Sequence, residues 1–211
     1  FPNWVANVQR GDTYESLVLL LRKAMVPQSY QRAFGRDPSH AELDFWRSVS
    51  ADDPRFGTMD ALVYEHRKIL VNPTEHREMI RRVYRRLFGQ NPTEGQVDNW
   101  KGTEYRTYTE QLPIILVNES YLQAFGRWAF SVVVTYWLTD PRVQALNFQE
   151  VMQNHSNHLK GDATAREFII GRAFNAVMPG NTLTPGVAPL TWWDGWVAGD
   201  GRNYSDLVRL L

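Results

Sequence analysis

The chain has 211 residues, 43% hydrophobic and 13% aromatic, which is enough apolar surface to bury a sizeable core in one elongated or two compact bodies. Its 23 basic and 23 acidic residues balance, which argues against nucleic acid as the main partner of the whole chain. The absence of cysteine excludes disulfides, thiol catalysis and thiolate zinc sites, and the longest apolar stretch, residues 129–138, is about half of the roughly 20 residues that a membrane-spanning helix needs.

The two ends of the chain resemble each other. Trp4-Val5-Ala6 followed by Tyr14 is echoed by Trp196-Val197-Ala198 followed by Tyr204. Both ends are therefore expected to fall inside a repeated unit. Since Phe1 stands where an initiator methionine would, we expect a processed or partial chain drawn from a longer array.

A spaced pattern of residues 30–46 recurs 54 positions later, in residues 84–100. Its first copy consists of Tyr30, Arg32, Phe34, Gly35, Pro38, Asp44 and Trp46. Uncommon residue types repeated at a fixed offset indicate a repeat architecture. Such units bury their apolar faces against one another and present a surface to partners, so we predict an all-α protein of tandem helical repeats, elongated or two-lobed.

The spacing inside a unit predicts its helices. Apolar residues recur at intervals of three and four between Ile80 and Phe88, as on one face of a helix. Gly89 suits the left-handed cap that ends a helix, and Pro92 suits the start of the next. Trp100 then lies a little over two turns further on, where its ring can pack onto the first helix. Each unit should hold two or three helices, with Trp100 and its counterpart Trp46 buried.

The chain is divided into three regions: 1–126 with two clear units, 127–165 as a helical connecting segment, and 166–211 as a degenerate, incomplete unit. In the last region Arg172-Ala173-Phe174 echoes Arg32-Ala33-Phe34, and the following turn is expanded as far as Pro185. The equivalent tryptophan is either Trp193 or Trp196. No clear copy of the motif is evident between residues 126 and 166.

Two groups of residues are candidates for binding a partner. Arginines cluster on the helix before Phe88, at Arg77, Arg81, Arg82, Arg85 and Arg86. They could dock an acidic protein surface, but a solvated helix face is the preferred interpretation. Under the docking hypothesis, reversing the charges of Arg81 and Arg85 should weaken binding and leave folding nearly unchanged.

The second group is the tryptophan cluster near the C-terminus, Trp192, Trp193 and Trp196. Its rings could stack on sugars, but core packing is the default for tryptophans at repeat positions.

The sequence offers little support for catalysis. His155 and His158 follow Glu150 at a spacing that could place ligands on one helix face, yet no metalloprotease motif surrounds them, and we expect polar surface. No nucleophile elbow or phosphate loop is present. We therefore predict a protein that is not an enzyme and needs no cofactor or metal.

Residues 78–126 carry a resemblance to a known family. Arg82-Val83-Tyr84-Arg85-Arg86-Leu87-Phe88-Gly89 and the later Asn118-Glu119-Ser120-Tyr121 resemble the second half of the phycobilisome linker domain. Residues 29–35 resemble its opening helix. The bacterial repeat family known as domain of unknown function 4214 is similar over the same unit.

This resemblance implies an all-helical, non-enzymatic module. Linkers join and orient pigment proteins in an antenna, whereas the unknown-function repeats occur in large bacterial proteins that are often secreted or surface-associated. We expect a scaffold or linker that binds protein partners in a larger assembly, thylakoid-associated in the first case and secreted or surface-associated in the second. An adhesion module that recognises glycan is the alternative.

Overall fold

The computed structural model describes residues 13–50, 52–180 and 188–211, with side chains of the last range from residue 191 onward. Trp4-Val5-Ala6 and the expanded turn at Pro185 lie outside these residues. The described residues form α-helices and one 3-10 helix and contain no strand, which confirms the all-α class. Among the helices described, none combines the length and apolarity needed to cross a bilayer.

The described residues contain twelve α-helices. In chain order they are α1 (Tyr14–Phe34), α2 (His40–Ser48), α3 (Met59–Ile69), α4 (Pro73–Phe88), α5 (Glu94–Asp98), α6 (Tyr108–Phe125), α7 (Ser131–Trp137), α8 (Pro141–Gln144), α9 (Phe148–Gly161), α10 (Ala163–Val177), α11 (Ala188–Asp200) and α12 (Tyr204–Leu210). The 3-10 helix, Pro54–Phe56, lies between α2 and α3. Polar side chains cap most helix starts, for example Thr13 and Thr58, which accept hydrogen bonds from the backbone N–H three residues on.

The chain forms two compact units, Phe1–Gln111 and Leu112–Leu211. The division falls within α6, earlier than the predicted boundary after residue 126. Helices α7 to α9, predicted as a connecting segment, therefore belong to the second unit. The core of that unit includes Phe125, Leu159, Ile169 and Trp193, so Trp193 rather than Trp196 is the core tryptophan of this region.

Among the described residues, a hydrogen bond between a tyrosine and a tryptophan sixteen residues later occurs three times. The indole N–H donates to the phenol oxygen over 3.3 Å from Trp46 to Tyr30, 3.2 Å from Trp100 to Tyr84, and 3.1 Å from Trp137 to Tyr121. Trp46 is 5% exposed and Trp100 3%, which confirms that both are buried. A buried indole N–H needs such a partner, so each bond fixes the second helix against the first. The tandem arrangement itself stays a prediction.

Two of the tyrosine-bearing helices end at a glycine in the left-handed backbone conformation. Each of these glycines lies against the ring of a further tyrosine. Gly35 has φ of +67° and Gly126 has φ of +68°. A Cβ on Gly35 would lie 2.4 Å from the ring of Tyr108, and one on Gly126 would lie 2.6 Å from that of Tyr204. Gly89 ends α4 with φ of +68°, but nothing lies within 4 Å of its Cβ position.

These glycines provide a matched pair of substitutions. Gly89→Ala should lose about 1–2 kcal/mol of unfolding free energy from left-handed backbone strain alone. Gly35→Ala carries the same strain plus overlap with Tyr108, and should lose a further 1–3 kcal/mol or so. Urea denaturation of both variants measures the difference, and equal losses would show that the Tyr108 ring moves aside freely.

Candidate functional site

The second unit contains an open cleft of about 790 Å³, a volume typical of ligand sites. Six aromatic residues line it: Tyr121, Phe125, Phe130, Tyr136, Trp137 and Phe168. Three of these keep large exposed fractions, 64% for Phe130, 71% for Tyr136 and 45% for Phe168. Solvent-exposed aromatic rings around a concave surface are typical of binding sites. We call this surface the aromatic cleft.

The start of α7 explains why one wall of the aromatic cleft is apolar. The N-cap of α7 is Phe130, which makes no side-chain cap hydrogen bond, and the third helical residue is Val133. At the start of α2 in the first unit, Ser39 and Glu42 form a capping box instead. The same type of helix start is therefore polar in the first unit and apolar in the second.

Arg127 supplies the positive charge of the aromatic cleft. Its guanidinium carbon lies 4.6 Å from the ring centroid of Phe130, 5.7 Å from that of Phe168 and 6.0 Å from that of Tyr121. Its Nη1 atom is buried and has no hydrogen-bond partner within the described ranges. Aromatic faces attract a cation, but they do not replace the hydrogen bonds that a buried N–H loses from water.

His155 lies in the aromatic cleft but is only 2% exposed, so the expectation of polar surface was wrong for this residue. The side chain of Ser120 donates to the carbonyl of Val117 over 2.8 Å and lies 3.1 Å from Nε2 of His155. Because the serine proton is directed to the carbonyl, the imidazole N–H is the donor in the Ser–His contact. Burial lowers the pKa of His155 to about 4, which keeps the ring neutral.

The first unit contains the same arrangement. The hydroxyl of Ser29 donates to the carbonyl of Val26 over 2.7 Å and lies 2.8 Å from Nε2 of His66. Burial lowers the pKa of His66 to about 4 as well. A nucleophile and base pair would need the hydroxyl to donate to the imidazole. In both pairs the imidazole donates to the hydroxyl instead. We therefore interpret both Ser–His pairs as structural parts of the core.

At the edge of the aromatic cleft, His158 and Asp162 lie 3.6 Å apart and are both partly exposed. No group of three or more potential metal ligands occurs among the residues that the structure describes.

Three of the predicted arginines are paired within the first unit. Arg77 pairs with Glu94 and Asp98, Arg81 pairs with Glu78 and Glu94, and Arg82 pairs with Glu75 and donates to the carbonyl of Phe34. The arginine face is thus largely satisfied inside the chain.

The paired state of Arg81 changes the meaning of the charge-reversal experiment. Reversing Arg81 would place a glutamate beside Glu78 and Glu94, so the expectation that folding stays nearly unchanged does not fit its surroundings. Arg85 is exposed and has no ion pair in the described part of the chain, so its partner-binding role stays a prediction.

The tryptophan cluster divides into a buried and an exposed part. Trp193 is 8% exposed and belongs to the core, which removes it from the predicted partner surface. Trp192 is 53% exposed, and its ring centroid lies 4.5 Å from that of Trp196. Trp192 is thus the exposed tryptophan of the cluster, and its partner-binding role stays a prediction.

The aromatic cleft was not predicted from the sequence, although a signal for it was present. Ser120-Tyr121 with Ala124-Phe125-Gly126 repeats the residues and spacing of Ser29-Tyr30 with Ala33-Phe34-Gly35. In both copies a tryptophan follows the tyrosine by sixteen positions.

A second signal shared by these two copies is the tripeptide Asp-Pro-Arg, which follows Trp46 in the first unit and Trp137 in the second. In Asp53-Pro54-Arg55 and Asp140-Pro141-Arg142 the aspartate binds the arginine two residues on, and that guanidinium lies over the preceding tryptophan ring. The copy of the motif that begins at Tyr121 starts 37 residues after Tyr84, whereas Tyr84 follows Tyr30 by 54 residues. It therefore does not recur at the fixed offset that relates the first two copies.

The helical position of Arg172 also corrects its sequence alignment. Arg172 is the tenth residue of α10, as Arg82 is of α4, and each donates to a carbonyl near the end of an earlier helix, Gly126 and Phe34 respectively. Arg172 therefore corresponds to Arg82 rather than to Arg32.

No family model, curated protein or solved structure matches this chain. The resemblance to phycobilisome linkers and to the unknown-function repeats accordingly stays a prediction.

The buried histidines predict acid sensitivity. Their folded pKa of about 4 lies below the unfolded value of about 6.5, so the unfolded chain binds more protons as pH falls from 6.5 toward 4. The unfolding free energy should be constant in this respect above pH 6.5 and fall by about 1.4 kcal/mol per pH unit for each histidine below it.

Urea denaturation at pH 7 and pH 5 measures this dependence. His155→Gln should reduce the pH dependence of the unfolding free energy by about 2 kcal/mol over that interval, whatever its effect on absolute stability. Gln153→Ala, an exposed position without a titratable side chain on the same helix, is the control and should leave it unchanged. Equal pH dependence in His155→Gln and the wild type would contradict the neutral, buried state of His155.

Proposed function

We propose that this chain is a non-enzymatic helical scaffold that holds a segment of a partner protein in the aromatic cleft of its second unit. The observation that carries this proposal is the combination of an open concave surface with three exposed rings, Phe130, Tyr136 and Phe168. Aromatic residues and arginine are enriched in protein interfaces and often dominate their binding energy. The resemblance to linker and repeat modules agrees with an assembly role.

The chemistry of the aromatic cleft favours binding over catalysis. Its buried imidazole, His155, donates to Ser120 and is held neutral by burial. The serine is fully buried, so it is not accessible to a substrate. A ligand in the cleft would therefore meet ring faces and the guanidinium of Arg127 rather than an activated nucleophile.

Glycan recognition is the second candidate, and Trp192 is the observation that favours it. Its exposed ring stacks beside Trp196, and an open tryptophan face can bind the apolar face of a sugar. This surface is separate from the residues that line the aromatic cleft.

Selection of ligands from a displayed random peptide library tests the proposed function. Peptides selected on the wild type should lose about tenfold or more in affinity on Phe130→Ala or Tyr136→Ala, because each substitution removes a large contact surface. Arg85→Glu, on the exposed face of α4, is the control and should bind normally. Both cleft residues are exposed, so the variants should fold.

Two results would contradict the proposal. If the selected peptides bind both cleft variants as tightly as the wild type, the binding surface lies elsewhere. Loss of binding in Arg85→Glu alone would show that the peptides bind the arginine-rich face of α4. Binding on a glycan array that is abolished by Trp192→Ala would instead support the adhesion alternative.

A further inference from the structure

We propose that the aromatic cleft recognises a carboxylate side chain of the partner segment, held by Arg127, which lines the cleft. This inference rests on the proposed function and names the chemistry of the ligand. It follows from comparing corresponding helix positions in the two units.

In the first unit, two arginines share carboxylates supplied by the chain itself. Arg36 binds both oxygens of Glu42 at 2.8 Å and lies 3.4 Å from Glu75. Arg82 binds the same oxygen of Glu75 at 2.6 Å. The guanidinium of Arg36 also lies over the rings of Tyr30 and Phe34. Aromatic contact and ion pairing are therefore combined there.

The second unit keeps the arginines at the same structural positions. Arg127 directly follows the left-handed glycine after α6, as Arg36 does after α1. Arg172 is the tenth residue of α10 and donates to the carbonyl of Gly126, as Arg82 does to that of Phe34. Both guanidinium carbons in the second unit lie 5.7 Å from the ring centroid of Phe168.

At the corresponding helix positions of the second unit, in contrast, the two carboxylates are replaced by apolar residues. Glu42 is the third residue of α2 and Glu75 the third residue of α4. The third residue of α7 is Val133, and that of α10 is Ala165. Both of these replacements line the aromatic cleft. Removing the two acids thus opens space and leaves the buried Nη1 of Arg127 without a hydrogen-bond partner in the described residues.

A carboxylate is the ligand group that this arrangement fits. The planar guanidinium of arginine matches a carboxylate with two parallel hydrogen bonds, and such pairs strengthen away from water. The surrounding rings require apolar neighbours on the ligand. Asp162, on the rim beside His158, disfavours a run of acids. The partner segment is therefore a single glutamate or aspartate flanked by apolar residues.

The test uses two pools of fluorescently labelled peptides, with a central glutamate or a central glutamine between randomised apolar residues and with blocked termini. Fluorescence anisotropy against the whole chain should show the glutamate pool binding about tenfold tighter, since a charge-assisted pair of hydrogen bonds from arginine to a carboxylate is stronger than hydrogen bonds to a neutral amide. Arg127→Gln should remove this preference. Arg209→Gln, which changes an exposed arginine of the second unit outside the cleft, should keep it.

A second variant guards against a folding defect in Arg127→Gln. Ala165→Glu restores the acid found at this position in the first unit, and it should also abolish the preference by pairing with Arg127 from within the chain. Equal binding of both pools would overturn the carboxylate inference while leaving the peptide-binding function standing. Binding of neither pool would overturn both. A preference that survives Arg127→Gln and Ala165→Glu would place carboxylate recognition outside the cleft.

Discussion

The hydrogen bond from a tryptophan N–H to a tyrosine oxygen sixteen residues earlier fixes the basic helix pair of this protein. It is formed by Trp46 with Tyr30, Trp100 with Tyr84, and Trp137 with Tyr121. The bond satisfies the polar tip of a large apolar ring, so the ring can be buried without losing its hydrogen bond. The need to bring the indole N–H to the phenol oxygen constrains the length and curvature of the turn between the tyrosine and the tryptophan.

In two of the three copies a buried histidine joins a third helix to this pair. The ring of His66 contacts Tyr30 and Trp46, and its Nε2 meets a serine. His155 has the corresponding contacts in the second unit. In the copy built on Tyr84, valine occupies the position before the tyrosine, so that serine contact is absent there.

The residues that hold the helices together are thus the same in both units, while residues at helix starts differ. The proposed function rests on that difference, because Val133 and Ala165 line the aromatic cleft, whereas Glu42 and Glu75 at the corresponding positions pair with Arg36.

Local signals in the sequence were sufficient for the helices and their ends. Caps such as Thr58 and Gly89, and the burial of Trp46 and Trp100, depend on contacts within one short stretch and were predicted. The boundary between the two units inside α6 was not predicted, since it depends on packing between helices that are far apart in the sequence.

The aromatic cleft escaped prediction for a related reason. Its rings and Arg127 come from α6, α7, α10 and the turns between them, which the sequence does not show to be neighbours. The internal ion pairs of the arginines on α4 were not predicted, because the partners of Arg77 and Arg81 lie partly on α5, beyond the helix itself.

The most direct test of the account is a double-mutant cycle between Ala165→Glu and Arg127→Gln, measured by urea denaturation without ligand. If Arg127 lacks a carboxylate partner, Ala165→Glu should stabilise the second unit more in the presence of Arg127 than in its absence, with a coupling free energy above about 1 kcal/mol. A coupling near zero would show that the third position of α10 does not face Arg127, and the comparison of the two units on which the proposed ligand rests would fail.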